Sequence, residues 1–289
     1  MATFKNILIP IDSLYNAQIA TEKALELSDP AQTTLYLVAI IRFDSFWQKL
    51  FYTDIILERQ PQVNKKKLLA RKKIEALRER IAVISPQTPI ETAIISETAI
   101  SDNLMQYALQ HEIDLVIATH RKRRSGFSFF RKDATEELAR KANLAVLTVT
   151  KGCLNHPIKS IILPVTSFVP ERKIHMALAF SKKFNAHIHL VTTLDSNDVN
   201  TRVRIDAFYL TYKILTEMGH SPQYKILQGS DSDLALVHYA RQVKADMILI
   251  NPEKKKIFPR FFQGKITDML QPFSALHILT LKPYLRRST

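Results

Sequence analysis

Three apolar segments of this chain recur in the same order further along it. "KNILIPIDS" (Lys5–Ser13) returns as "KSIILPVTS" (Lys159–Ser167), displaced by 154 residues. "DLVIA" (Asp114–Ala118) returns as "DMILI" (Asp246–Ile250), and "LAVLTVTK" (Leu144–Lys151) as "LHILTLKP" (Leu276–Pro283), both displaced by 132. Order is preserved, and the first copy holds about 22 extra residues in its first half. An internal repeat of this length marks a duplicated unit. The expected domains are 1–152 and 153–289, with the junction in "KGCLNHPIK" (Lys151–Lys159).

Each copy alternates short β-rich runs with helical patterns. Strands are expected at 6–11, 34–41, 90–95, 115–119 and 145–150, then at 160–165, 187–193, 223–228, 247–251 and 277–281. Between them, helices are expected at 15–28, 68–84 and 102–110, then at 172–184, 203–218 and 233–243. In the third of these, Leu104, Met105, Ala108 and Leu109 fall on one face at helical spacing. Continuous apolar strands alternating with helices predict an α/β fold: in each copy a five-stranded parallel sheet with helices on both faces. Such sheets bind ligands beyond the carboxyl ends of their strands, where the strand order reverses. The loops after the first and fourth strands of each copy are therefore the candidate sites.

Those loops carry the resemblance. "ILIPIDS", the closing "LAVLTV" and the long loop into a helix after the fourth strand make each half similar to a universal stress protein domain. The resemblance covers nearly the whole chain as two domains. It implies a Rossmann-like fold of the adenine nucleotide alpha hydrolase type, with the halves related by a pseudo-twofold axis through internal domain–domain pairing, and leaves homo-oligomers open. One branch of the family binds ATP through G-x2-G-x9-G-[ST] after the fourth strand, with an aspartate at the end of the first. There, glycines let the backbone approach phosphate, and the last hydroxyl residue opens a helix whose N–H groups meet it.

Carried over position by position, the resemblance gives the candidate cofactor-binding residues. Asp12 holds the aspartate position in copy one, and Thr166 replaces it in copy two. Copy one has Thr119, Lys122, Lys132 and Asp133 at the signature positions, with Gly126 elsewhere in the loop. Copy two has Asn251, Lys254, Gly264 and Lys265. The motif is degenerate in both halves. A side chain at each former glycine fills phosphate space, and Asp133 sets a negative charge against phosphate, whereas the lysines could meet it as point charges. The cofactor is thus not fixed by sequence: ATP stays open but disfavoured, and a small anionic ligand fits the charge.

Composition limits the remaining classes. The five glycines of the chain are few for glycine-lined loops, and its one cysteine, Cys153, excludes an internal disulfide framework and favours the cytoplasm. No stretch approaches the ~18 apolar residues of a membrane span. The net charge of +14 comes mainly from the second half, which has 20 Lys+Arg against 10 Asp+Glu after Thr150, compared with 21 against 17 before it. A basic surface attracts any polyanion, so RNA binding is the alternative reading, and a weak ATPase a third.

Four further features have ordinary explanations. The basic run Lys65–Lys67 and Arg71–Lys73, interleaved with Leu68, Leu69, Ala70 and Ile74, reads as an amphipathic helix with a solvated outer face. The aromatic stretch Phe43–Leu57, with Trp47, reads as interface or core. His187 and His189 share a strand face but lack a third ligand, so no metal site is expected. Cys153 has only His156 near it and reads as a structural thiol. No Walker loop, H-E-x-x-H or G-x-S-x-G is present, so no catalytic residue is nominated. The sequence points to a non-enzymatic binding or regulatory module in stress response.

Overall fold

The computed structural model of the 289-residue chain describes residues 4–42, 60–97, 100–119, 138–154, 156–194, 200–228, 232–252 and 276–282. The chain divides into two compact units, Met1–Val149 and Thr150–Thr289. In unit 1 the described elements are β1 (Asn6–Ile11), α1 (Leu14–Leu27), β2 (Thr34–Arg42), α2 (Gln60–Ile84), β3 (Ile90–Glu97), α3 (Ile100–Gln110), β4 (Leu115–Thr119) and β5 (Ala145–Val149). In unit 2 they are β6 (Ser160–Val165), α4 (Glu171–Phe184), β7 (His187–Leu194), α5 (Thr201–Glu217), β8 (Gln223–Gln228), α6 (Ser232–Gln242), β9 (Met247–Ile250) and β10 (His277–Thr280).

Unit 1 orders its strands β3-β2-β1-β4-β5, and unit 2 orders its own β8-β7-β6-β9-β10. All the paired strands within each unit run parallel. The connectivity is thus the same in both, and each reverses direction at its first strand: β1 lies between β2 and β4, β6 between β7 and β9. Burial explains the continuous apolar runs. Ile7, Leu8, Ile9, Leu115, Val116 and Ile117 are fully buried in unit 1, as are Ile161, Ile162, Leu163, Met247, Ile248 and Leu249 in unit 2. The core over one sheet face of unit 1 gathers Leu8, Val38, Leu104, Ala108, Val116 and Val146. Its counterpart in unit 2 gathers Ile162, Val191, Val237, Ala240 and Ile248.

Two helix expectations need correction. The third helix of the sequence reading exists, but Leu109 is 57% exposed, while Leu104 and Ala108 make the core contact and Met105 is only partly buried. The basic helix starts at Gln60, not Leu68. Pro61 sits in its first turn, where the missing N–H costs nothing. Residues 64–69 are exposed, Leu68 and Leu69 by more than half, and only from Ala70 on does a buried stripe appear: Ala70, Ile74, Leu77 and Ile81. A helix turn that touches no core carries no periodicity to read.

Helix ends account for much of the glycine economy. Glu112, Asn185 and Lys244 adopt left-handed φ values of 47°, 50° and 49° just past α3, α4 and α6; Gly219, at 82°, does so past α5. In each case the next residue's N–H reaches back five residues: Ile113 to Ala108, Ala186 to Ser181, Ala245 to Ala240 and His220 to Leu215, at 2.9–3.1 Å. These are Schellman closures, which glycine normally supplies.

Candidate functional site

The carboxyl edge of each sheet opens beside a proline. Lys5 gives its carbonyl to Thr34 N–H, on the β2 side, and Asn6 gives its carbonyl to Asp114 N–H, at the start of β4. Peptide groups alternate sides along a strand, so Leu8 and Pro10 also face β4. Pro10 has no N–H to offer, and the β1–β4 register stops at Leu8↔Val116. Unit 2 repeats this. Lys159 faces β7 through His187 N–H and Ser160 faces β9 through Asp246 N–H, so Pro164 faces β9, and the β6–β9 register stops at Ile162↔Ile248. The two central strands therefore part at the point where the strand order reverses, which is where parallel sheets form their ligand crevice.

In both units a lysine ammonium takes a carbonyl beside the parting strands. Lys73 Nζ, from α2, donates to the Asp12 carbonyl at 3.0 Å. Lys173 Nζ, from the first turn of α4, donates to the Pro164 carbonyl at 2.9 Å. The two lysines come from different helices and meet carbonyls two residues apart in the aligned repeat, Asp12 matching Thr166 and Pro164 matching Pro10.

In unit 1 the Asp12 carboxylate accepts from the Asn16 amide at 3.3 Å on each oxygen and from the Ser13 N–H at 2.5 Å. Ser13 itself caps α1, its hydroxyl accepting the Asn16 N–H at 3.3 Å. Thr119 ends β4, partly buried and paired with Val149. Counting on from Leu8↔Val116, it stands level with Ile11, one residue short of Asp12, so these two candidates share the crevice edge.

In unit 2, Lys173 is 4% exposed, and Pro164 is its only hydrogen-bond partner among the described residues. Burial without a countercharge lowers its pKa from 10.5 to about 7. Thr166, in the place of Asp12, is partly buried, and beside it Thr192 Oγ1 donates to the Val165 carbonyl at 3.0 Å. Asn251 follows β9, and its Oδ1 is buried without a hydrogen-bond partner. Arg172, next to Lys173, donates to the Lys282 carbonyl just past β10 at 3.0 Å.

Of the sequence candidates, the structure thus places Asp12, Thr119 and Asn251 at crevice edges. Lys122, Gly126, Lys132, Asp133, Lys254, Gly264 and Lys265 lie outside the described residues, as does Phe43–Leu57. Lys73, Lys173 and Asn16 were not foreseen. Lys173 did leave a signal: it stands on the buried stripe of α4 with Ile174, Ala177 and Phe180, where a lysine is out of place.

The remaining polar candidates have structural partners. His189 is buried with its Nδ1 3.0 Å from Tyr239 Oη, and desolvation, with help from His187, lowers its pKa. Among the described residues no cluster of His, Cys, Asp or Glu could hold a metal. Cys153 is buried, with its sulfur 3.4 Å from the Thr150 N–H, while His156 pairs with Asp246 at 2.8 Å. No helix among the described residues is long and apolar enough to cross a membrane.

Comparison with known proteins agrees with this architecture. The model of the universal stress protein family matches residues 3–150, just over half of the chain. No curated protein sequence matches it. A universal stress protein from Archaeoglobus fulgidus DSM 4304 superposes with a TM-score of 0.63 at 13% identity, covering 96% of each chain. A protein of unknown function from Pseudomonas aeruginosa PAO1 gives 0.60 at 16%, covering 98% of this chain and 94% of that one. The cytoplasmic domain of a prokaryotic cation chloride cotransporter gives 0.51 at 10%, covering 96% and 95%. At such identities the superpositions establish a shared fold alone. With the fold, the reversal-point crevice and the family match over unit 1 in hand, the chain belongs to the universal stress protein family.

Proposed function

We propose that the chain is a tandem universal stress protein, with unit 2 a diverged second copy, acting in the cytoplasm as a binding or regulatory module without turnover. The carrying observation is the pair of crevices: in each, a proline parts the central strands and a lysine ammonium meets a carbonyl at the opening. A crevice with an amine at its opening, cationic in unit 2 below about pH 7, suits a small anionic ligand. Occupancy would bias the association of the protein with its partners. No nucleophile–base pair stands at either edge among the described residues.

ATP fits these crevices poorly. Asp12, the residue that would meet a nucleoside, already holds the Asn16 amide, and Lys73 sets a cation beside it. The degenerate signature offers little cradle for phosphate. Equilibrium dialysis with Mg-ATP and a phosphate-release assay test this reading. We expect no saturable micromolar binding and no release above background. Release that Asp12→Asn abolishes would replace the module by an ATPase.

A second reading, polyanion binding, is favoured by one observation. Lys65, Lys66, Lys67, Arg71 and Lys72 are all exposed on α2. RNA held this way would dissociate steeply with added salt, with a log–log slope set by the number of phosphates contacted. Binding of RNA that survives 0.5 M salt, or none at low salt, counts against it.

A further inference from the structure

The crevice of unit 2 holds two buried polar atoms that the protein leaves incompletely satisfied. Protonated, as it is below about pH 7, Lys173 Nζ carries three donors, and the Pro164 carbonyl is its only acceptor among the described residues. The side chain is 4% exposed, so water does little to complete its shell. Asn251 Oδ1 is a buried acceptor without a donor. Buried polar atoms are nearly always paired, and an exception calls for a missing partner.

Register places both atoms at one opening. The Pro164 carbonyl faces β9, and two residues past the last pair Ile162↔Ile248 it stands level with Ile250. Asn251 is the next residue along that neighbouring strand. An incompletely neutralised cation and an unmet acceptor thus border the same gap. Their chemistry is complementary to a negatively charged oxygen and a nearby O–H or N–H.

We propose that unit 2 binds a small hydroxy or amino acid, its carboxylate on Lys173 Nζ and its hydroxyl or amino group donating to Asn251 Oδ1. The inference rests on the reading of the chain as a binding module and names the ligand class of one of its crevices. Unit 1 differs. Its strand-end carboxylate, Asp12, would repel the same acid, while Thr166 at the matching position of unit 2 carries no charge.

Calorimetric titration of the intact chain at pH 6, where the Lys173 amine is protonated, tests this with four probes: glycolate, acetate, ethylene glycol and inorganic phosphate. Glycolate is expected to bind one per chain, acetate about tenfold more weakly for want of the second contact, and ethylene glycol not at all. Lys173→Met should abolish glycolate binding, Asn251→Ala should reduce it to the level of acetate, and Leu68→Ala, at an exposed position of unit 1, should leave it unchanged. Circular dichroism confirms that each variant is folded. Equal binding of glycolate and acetate, or glycolate binding that survives Lys173→Met, overturns the proposal. Phosphate bound in preference to glycolate overturns the ligand class. Absence of glycolate binding together with absence of ATP turnover defeats this inference alone, whereas Asp12-dependent ATP turnover defeats the binding-module reading.

Discussion

Lys173 carries an unusual electrostatic load. Unfolded, its amine takes up a proton below pH 10.5; folded, burial delays this to about pH 7. Between those values the unfolded state binds more protons, so stability falls as pH drops from 10.5 to 7 and levels off below. Lys173→Met removes the penalty. It is expected to stabilise the protein by a few kcal/mol at pH 6, with the gain vanishing above pH 10.5. Urea denaturation of both proteins across this range reads the difference. A gain independent of pH would mean that packing, not charge, governs the site. Asp114 and Asp246, displaced from each other by 132 residues, do similar work from opposite environments. Each carboxylate takes two backbone N–H groups at the start of the first strand of its unit: Lys5 and Asn6 at 2.8 and 3.0 Å, Lys159 and Ser160 at 2.8 and 2.9 Å. Asp246 is 6% exposed and also holds His156. Asp246→Ala should therefore cost about 2–4 kcal/mol and Asp114→Ala less, as measured by chemical denaturation. The repeated "D" of "DLVIA" and "DMILI" was visible in the sequence, but its partners lie more than 80 residues away, and no local pattern names them.

At the scale of elements, most of the strands were legible because burial on both faces leaves an unbroken apolar run. The first turns of α2 were not, because residues 64–69 face solvent. The same contrast predicts mutational effects. Leu77→Ala, at a fully buried position, should cost about 2–5 kcal/mol, whereas Leu68→Ala, at 56% exposure, should stay within about 0.5 kcal/mol. Thermal or urea unfolding distinguishes them. Low glycine content also takes its meaning here: helix ends close on Glu112, Asn185 and Lys244 in left-handed geometry. The strain is greatest for a long side chain without a local hydrogen bond. Lys244→Gly should stabilise by about 1 kcal/mol or less, and Asn185→Gly by less still, because asparagine tolerates that region. The prolines are the least legible device. Pro10 and Pro164 read as part of a repeated motif, but that they face β4 and β9 emerges only from the alternation of hydrogen bonds.

Across the whole molecule, two units with one strand order each carry a core and a crevice of their own. In the sequence, the alternation of strands and helices marks the loops that border the crevices, and the family resemblance names Asp12, Thr119 and Asn251 within them. It did not nominate Lys73 or Lys173: Lys73 reads as one more charge of a solvated basic run and Lys173 as one more polar residue of a helix, and only the folded chain brings each to a carbonyl at a crevice. On this reading the protein holds a small anion in the crevice of unit 2 without chemistry. Injection calorimetry of the intact chain with Mg-ATP, followed in the same cell by glycolate, tests it most directly, because heat of binding decays after each injection and heat of turnover persists. Mg-ATP is expected to give no sustained heat, and glycolate a saturating signal that Lys173→Met removes. Sustained heat with ATP, lost in Asp12→Asn, would contradict this reading.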